Sequence, residues 1–320
     1  MENAINGDIL NQECIVRTDA GGVPSPYRGK VRDVYSLNPA TIAIVVTDRI
    51  SAFDHILRQP IPYKGQILNR ISDFTFKKVS DIVDTHVIDV PHPNIMIAKR
   101  CNSLPVEVVV RGYLAGHAWR TYSSGGRLLC GVQLPDGLKR NQKFEQPIIT
   151  PTTKASEGHD QDITREEILA AGLVDKGVWE NIEHTALNLF KRGTEIATNQ
   201  GLILVDTKYE FGFHDGRLIL IDEVHTPDSS RYFYSEGYDQ RLEKDLDQRQ
   251  LSKEFIREWL IDHHFMGKEG QVMPDLPDEF IVTVYKRYAE LFERLTGEKF
   301  KPVQVKGFNN TLADILKKYS

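Results

Sequence analysis

Val205-Asp-Thr-Lys-Tyr-Glu-Phe-Gly212, followed by Leu218-Ile-Leu-Ile-Asp-Glu-Val-His-Thr-Pro-Asp-Ser-Ser-Arg231, decides the reading of this chain. Two apolar runs, 202–211 and 218–224, meet at His214-Asp215-Gly216 and predict an antiparallel hairpin. On its first strand Asp206, Lys208 and Glu210 are spaced by two and therefore share a face. Three charges on an apolar strand are poor core material. On the second strand Asp222 and Glu223 point to opposite faces, so the turn decides which of them meets Glu210. A two-residue Asp215-Gly216 turn pairs His214 with Arg217 and brings Glu223 to the Glu210 face. A three-residue His214-Asp215-Gly216 loop pairs Phe213 with Arg217, which sets Asp222 opposite Lys208 and diagonal to Glu210. A surface ion-pair ladder is the bland alternative to a phosphate-and-metal site.

Working outward, the 320 residues are 40% hydrophobic and 27% charged, ordinary values for a globular protein of one large domain or two adjoining ones. Forty Lys and Arg against 45 Asp and Glu give a net charge of −5. A dedicated nucleic-acid binder carries a basic excess, so none is expected, and an anionic ligand must be met by a local basic patch. No apolar run approaches the ~18 residues of a membrane span. The opening MENAINGDILNQE lacks the basic and apolar regions of a secretory leader. Cys14, Cys101 and Cys130 are odd in number and far apart, which fits neither a disulfide framework nor a zinc knuckle. A cytoplasmic enzyme is expected.

The first hundred residues read as β-rich, with strands at 32–37, 41–47 and 87–90 and a helix over 66–79. Pro105–Val110 is a strand that leads into a helix near Trp119, and 123–161 reads as loop. Thr164 with Glu167 forms a capping box. Helices follow over 178–199, 252–264, 278–295 and 311–318. The expectation is two α+β lobes, 1–104 and 105–320, with a cleft between them.

Four further stretches carry chemistry-bearing residues. Tyr27-Arg-Gly-Lys-Val-Arg-Asp-Val-Tyr35 puts Gly29 where backbone can approach an anion, with Lys30 and Arg32 on one strand face. It is not a Walker loop, and an edge strand kept soluble by Lys and Arg is its rival reading. Val46-Thr-Asp-Arg-Ile-Ser-Ala-Phe-Asp54 clusters Asp48, Arg49, Ser51 and Asp54 after a strand end, suited to a polar substrate, a metal or a capped turn. Glu107 and Arg111 bracket an apolar strand; either they pair, or Arg111 holds a carboxylate or phosphate. Thr150-Pro-Thr-Thr-Lys154-Ala-Ser-Glu-Gly-His-Asp160 gathers hydroxyls, a lysine and an acid in one loop, and His159 has no second His at ligand spacing. Ser229, Ser230 and Arg231 read as an anion-binding segment or a plain turn.

Taken in order, YRGKVRDVY, TDRISAFD, PVEVVVRGYLAG, TPTTKASEGHD, VDTKYEFG and IDEVHTPDSSR resemble the SAICAR synthase (phosphoribosylaminoimidazole-succinocarboxamide synthase) family of purine biosynthesis, over about residues 27–231. The resemblance implies an α+β, two-lobed, ATP-grasp-like fold with antiparallel sheets and an inter-lobe ATP cleft. Residues 1–104 would be the nucleotide-binding lobe; 105–320 would carry the metal site, the substrate site and the closing helices. It implies that ATP, CAIR and L-aspartate give ADP, phosphate and SAICAR through an acyl phosphate, with Mg²⁺ and cationic side chains offsetting the phosphate charge. Carried over by position, Gly29 and Lys30 resemble the phosphate-facing segment, and Lys99 and Glu107 the nucleotide contacts. Glu210 and Asp222 resemble the metal carboxylates, which favours the three-residue turn. Arg111, Ser230, Arg231 and Asp54 resemble substrate-binding positions; Lys154, Asp160 and Lys208 resemble groups around the reacting carboxylate. One departure is His117 after Gly116, where many relatives have serine. The implied partners are the three small molecules, with no nucleic acid, membrane or obligate protein partner, and a monomer is expected. The rivals are another ATP-dependent carboxylate–amine ligase, a phosphotransferase (for which the HRD and DFG motifs are missing) and a nucleotide-binding module.

Overall fold

Apolar runs pair edge to edge into two main antiparallel sheets in the computed structural model, which describes residues 7–154 and 161–320. In chain order the first elements are β1 (Tyr27–Arg28), β2 (Arg32–Asn38), β3 (Thr41–Val46), β4 (Ser51–Ala52), β5 (His55–Ile56), α1 (Lys64–Val79), β6 (Val87–His92) and β7 (Ile95–Lys99). Then come β8 (Asn102–Tyr113), α2 (Gly116–Ser123), β9 (Leu128–Leu129), β10 (Val132–Gln133), β11 (Lys143–Ile149), β12 (Thr152–Thr153), α3 (Arg165–Ala170) and α4 (Lys176–Thr198). The chain closes with β13 (Leu202–His214), β14 (Arg217–Ile221), β15 (Ser230–Tyr234), α5 (Tyr238–Glu243), α6 (Glu254–Asp262), α7 (Asp278–Thr296) and α8 (Phe308–Tyr319).

The contacts divide the chain into two compact units. The first holds Met1–Phe74, His86–Arg100 and Lys253–Ser320. Its sheet has the order β1-β2-β3-β7-β6. Tyr35, Ala43, Val45, Ile95 and Ile97 form a buried face, covered by Val305, Phe308, Leu312 and Leu316. The last three stand four apart, one stripe of α8. Each such fully buried side chain contributes about 1.5–3 kcal/mol.

The second unit holds Thr75–Thr85 and Cys101–Ser252. Its sheet runs β11-β8-β13-β14, with β12 also on β8 and β15 also on β13. Long β13 is therefore flanked by β8 on one edge and by β14 and then β15 on the other. Helix α4 packs on β13 and β8, burying Ile182, Ala186, Leu189 and Phe190. Gly193 of α4 is a close approach: a Cβ there would stand 2.3 Å from Cε1 of His225.

Three expectations are corrected. The hairpin turn has two residues, because His214 pairs with Arg217 and Phe213 with Leu218. Asp215 and Gly216 sit at φ +50° and +74°, the doubly left-handed turn that an Asp-Gly pair favours and whose twist matches the strands. Residues 123–161 are not simply loop: β9, β10, β11 and β12 lie there, and Leu129, Leu134 and Phe144 share a core with Ala118 and Tyr122 of α2. β9, β10 and β12 have two residues each and β11 lacks a clean alternation, so no period marks them, and β11 and β12 take their pairing from β8. Lys30 is not on a strand face with Arg32; it lies in the β1–β2 turn, which Gly29 closes by donating to the Arg32 carbonyl at 2.8 Å.

Candidate active site

On β13, Asp206, Lys208 and Glu210 do share one face, and each meets a charge from a neighbouring element. At one end Asp206 pairs across the ladder with Arg111 of β8 and with Arg231 of β15. Its Oδ2 accepts from Nη1 of Arg111 at 3.2 Å and also from Nη1 of Arg231. Nε of Arg111 donates to Oγ1 of Thr150 at 2.8 Å. All three charged residues are buried. One carboxylate between two guanidiniums leaves a net positive charge, with N–H donors beyond those it satisfies. Ser230 is buried too, but its hydroxyl lies 2.8 Å from that of Thr207, on the opposite face of the sheet from the two guanidiniums. The Arg231 guanidinium lies against Gly116, where a Cβ would come within 2.3 Å of Nη2. Gly116 opens α2, whose N-cap, Ala115, has no side-chain cap.

At the other end Lys208 gathers carboxylates. Its Nζ donates to Oε1 of Glu107 at 2.7 Å and to Oε1 of Glu210, and lies 3.7 Å from Oδ2 of Asp222. Lys154 donates to Oε2 of Glu210. Burial pushes the Glu210 carboxyl up, but Lys208 and Lys154 outweigh it and hold the group well below the usual carboxylate range. Burial likewise lowers Lys208, and Glu210, Asp222 and Glu107 outweigh that, keeping it charged. Glu210, Lys208 and Lys154 are thus held ionised at neutral pH, an arrangement suited to phosphate and to hard cations rather than to proton transfer.

Asp222 reaches this cluster by leaving the ladder. Glu210 faces Ile221, the last residue of β14, so a continued strand would turn Asp222 away and bring Glu223 opposite Lys208. Instead Asp222 adopts φ +67°, which swings its carboxylate back. Glu223 is buried and accepts from Oγ1 of Thr226 at 2.6 Å. Among the described residues no three His, Cys, Asp or Glu side chains stand together as a ready metal cage. The Glu210 and Asp222 oxygens still suit Mg²⁺, which takes one or two carboxylates and completes its shell with water and phosphate oxygens.

The first unit places Lys30 and Asp54 in direct contact, both exposed. Arg49 fixes that turn: it donates to the carbonyls of Gly29 (3.0 Å), Lys30 (3.1 Å) and Val16 (2.7 Å) and to buried Asp33 (2.8 Å). Asp48 accepts from the backbone of Ile15 (2.8 Å) and Gly65 (2.9 Å). It therefore organises chain rather than ligand, and burial pushes its pKa up to about 6. Lys99 ends β7. Asp160 and His159 lie outside the described residues. His117 Nε2 pairs with Asp162 Oδ2 at 2.7 Å.

The sequence reading assigned no role to Asp206 or Thr150. Asp206 carried a signal, a carboxylate two residues before Lys208 on an apolar strand; Thr150 carried one only as a hydroxyl of the 150–160 stretch, and its partner Arg111 shows only once residue 150 is set against β8.

Residues 25–273 match the family described as SAICAR synthetase. The chain is 54% identical over 291 residues to the phosphoribosylaminoimidazole-succinocarboxamide synthase of Bacteroides thetaiotaomicron, covering 90% of this chain and 93% of that one. Among solved structures it resembles a SAICAR synthase from Saccharomyces cerevisiae complexed with SAICAR, with TM-score 0.78, 34% identity, and coverage of 90% of this chain and 100% of that one. A SAICAR synthetase in complex with ADP matches with TM-score 0.67 and 25% identity, over 87% of this chain and 100% of that one.

Proposed function

The chain belongs to the SAICAR synthetase family and is a ligase of that type in purine biosynthesis, and on that premise we propose how its side chains join L-aspartate to the carboxylate of CAIR at the expense of ATP. The observation that carries the reading is the division of labour along one strand. Asp206 to Glu210 spans about 13 Å of extended chain, with an arginine pair at one end and the Lys208 carboxylate cluster at the other. CAIR is a ribose phosphate bearing a ring with a carboxylate, so it has an anion at each end. Arg111 and Arg231 hold one anion, and Ser230 fixes the start of β15 that carries Arg231; Lys208 and Lys154 surround the reacting carboxylate. Lys30 faces phosphate, Lys99 and Glu107 contact the nucleotide, and Asp54 supports the Lys30 turn or the substrate. Glu210 and Asp222 would hold Mg²⁺, which supplies charge neutralisation at the transferring phosphoryl group when bound.

In the first step a CAIR carboxylate oxygen attacks the γ-phosphorus and the bond to ADP breaks. In the resulting acyl phosphate the carboxylate oxygens no longer share a negative charge, so the carbonyl carbon is electrophilic, and phosphate is a good leaving group. The aspartate amine then attacks that carbon, the C–O bond to phosphate breaks, and the proton the nitrogen loses passes to the departing phosphate, leaving the amide. Lys208 and Lys154, held charged by Glu210, offset the negative charge as it moves. The related ATP-grasp-like ancestry, a cytoplasmic location and a monomeric state belong to the same reading. The test is isotopic: CAIR labelled with ¹⁸O in its carboxylate should deliver one ¹⁸O to inorganic phosphate for each SAICAR formed. Phosphate free of label would refute the acyl phosphate.

A further inference from the structure

Asp222 reaches Lys208 only because the chain leaves β14 at φ +67°, so something must fix the segment that follows. One anchor lies behind the sheet. His225 is 2% exposed, sits at φ +57°, and presents Nε2 to the hydroxyl of Tyr209 at 2.7 Å. Tyr209 is fully buried and lies on β13 between Lys208 and Glu210, with its side chain on the opposite face. The Tyr232 hydroxyl donates to the His225 carbonyl at 2.9 Å. The His225 ring abuts Gly193 of α4. The strand that carries Glu210 therefore also grips the segment that carries Asp222, through a buried hydrogen bond three residues beyond the carboxylate. Burial pushes His225 down to about 3, so its ring is neutral, and the hydrogen bond to Tyr209 runs in either direction according to the tautomer.

We infer that Tyr209 and His225 are positioning residues that set the separation of Glu210 and Asp222 and so tune the affinity of the site for a divalent cation bound with nucleotide. The inference rests on the reading of those two carboxylates given above. Outer partners of a metal site commonly change its affinity about tenfold or more when removed.

The test uses the full chain. Tyr209→Phe removes only the hydroxyl; His225→Gln keeps an amide oxygen able to accept it. The readouts are the Mg²⁺ concentration for half-maximal ADP formation, Mn²⁺ binding to the protein–ADP complex by water-proton relaxation, and KM for CAIR. Tyr209→Phe should raise both metal requirements about tenfold with little change in KM for CAIR, and His225→Gln should be affected less. An unchanged metal requirement, or a rise matched by KM for CAIR, would overturn the inference, since general loosening moves both ends of the site. Where Tyr209→Phe is not recovered folded, Tyr232→Phe decides instead: a raised requirement supports the inference and an unchanged one overturns it. Asp222→Asn separates the two levels. If it leaves metal binding unchanged, the carboxylate reading fails and this inference with it. If it weakens metal binding while Tyr209→Phe does not, only this inference fails.

Discussion

Two glycines on one helix should respond with opposite signs to the same substitution. Gly177 and Gly193 both lie in α4. In a helix interior alanine is favoured over glycine by about 1 kcal/mol. At Gly177, in the first turn of the helix, a Cβ meets nothing within 4 Å, so Gly177→Ala should stabilise by about 0.3–0.6 kcal/mol, less than the full interior difference. At Gly193 the same atom would lie 2.3 Å from Cε1 and 2.7 Å from Nε2 of His225, and 2.8 Å from Cδ2 of Leu204. The ring must move or the helix must shift. Overpacking of this kind costs about 1–3 kcal/mol, and a displaced His225 also forfeits its bond to Tyr209, worth about 1 kcal/mol. Set against the gain in helix propensity, Gly193→Ala should destabilise by about 1–3 kcal/mol. Urea denaturation of the two variants and the parent reads this out as midpoints moving in opposite directions at constant slope. A Gly193→Ala midpoint that rises like that of Gly177→Ala would refute the packing of α4 against His225. With it would go the argument that His225 is wedged in place.

Arg231→Ala should raise KM for CAIR by the equivalent of about 1.5–3 kcal/mol while leaving KM for ATP little changed, because it removes a charged donor from the arginine end of β13; equal weakening of both would count against that placement. Glu210→Gln and Asp222→Asn should each depress kcat strongly, and the double variant should be far less impaired than the product of the two, since both act on one phosphate-bound cation. Multiplicative losses would mean that they act separately. Acid should weaken the fold through His225: its folded pKa of about 3 lies below the ordinary 6.5, so between those values the unfolded chain binds more protons and stability falls as pH drops, by about 1.4 kcal/mol per unit below 6.5. Asp48 works in the opposite direction between 3.8 and about 6. His225→Gln should therefore flatten the acid loss seen in melts between pH 6.5 and 4.5, and an unchanged slope would show that His225 is not buried neutral.

Much of the site was legible because its charges interrupt apolar strands. Asp206, Lys208 and Glu210 had to share a face at a spacing of two, and Glu107 and Arg111 had to find partners. The sequence could not say that both sets pair with one another, since β8 and β13 are about a hundred residues apart and no local pattern encodes their register. The turn was misjudged because Asp222 was assumed to stay on its strand. The two-residue turn and the kink at Asp222 together place the carboxylate where a longer turn would have put it. Helix positions followed from periodicity, as with α7, expected over 278–295 and found at Asp278–Thr296. Helix α5 and strands β9, β10 and β12 are too short to carry a period, and β11, Lys143-Phe-Glu-Gln-Pro-Ile-Ile149, shows no clean alternation. The packing of α8 on the sheet of the first unit is a tertiary fact that its own amphipathic stripe foretells only as a need for some partner.

The central claim is that ATP cleavage here is bound to the joining of two other molecules. ADP release should therefore be followed with ATP and Mg²⁺ present, omitting CAIR and L-aspartate in turn, with SAICAR quantified alongside. The account predicts one ADP per SAICAR in the complete mixture and no sustained turnover when either substrate is left out. Sustained ADP formation without L-aspartate, or nucleotide binding with no turnover in the complete mixture, would contradict it.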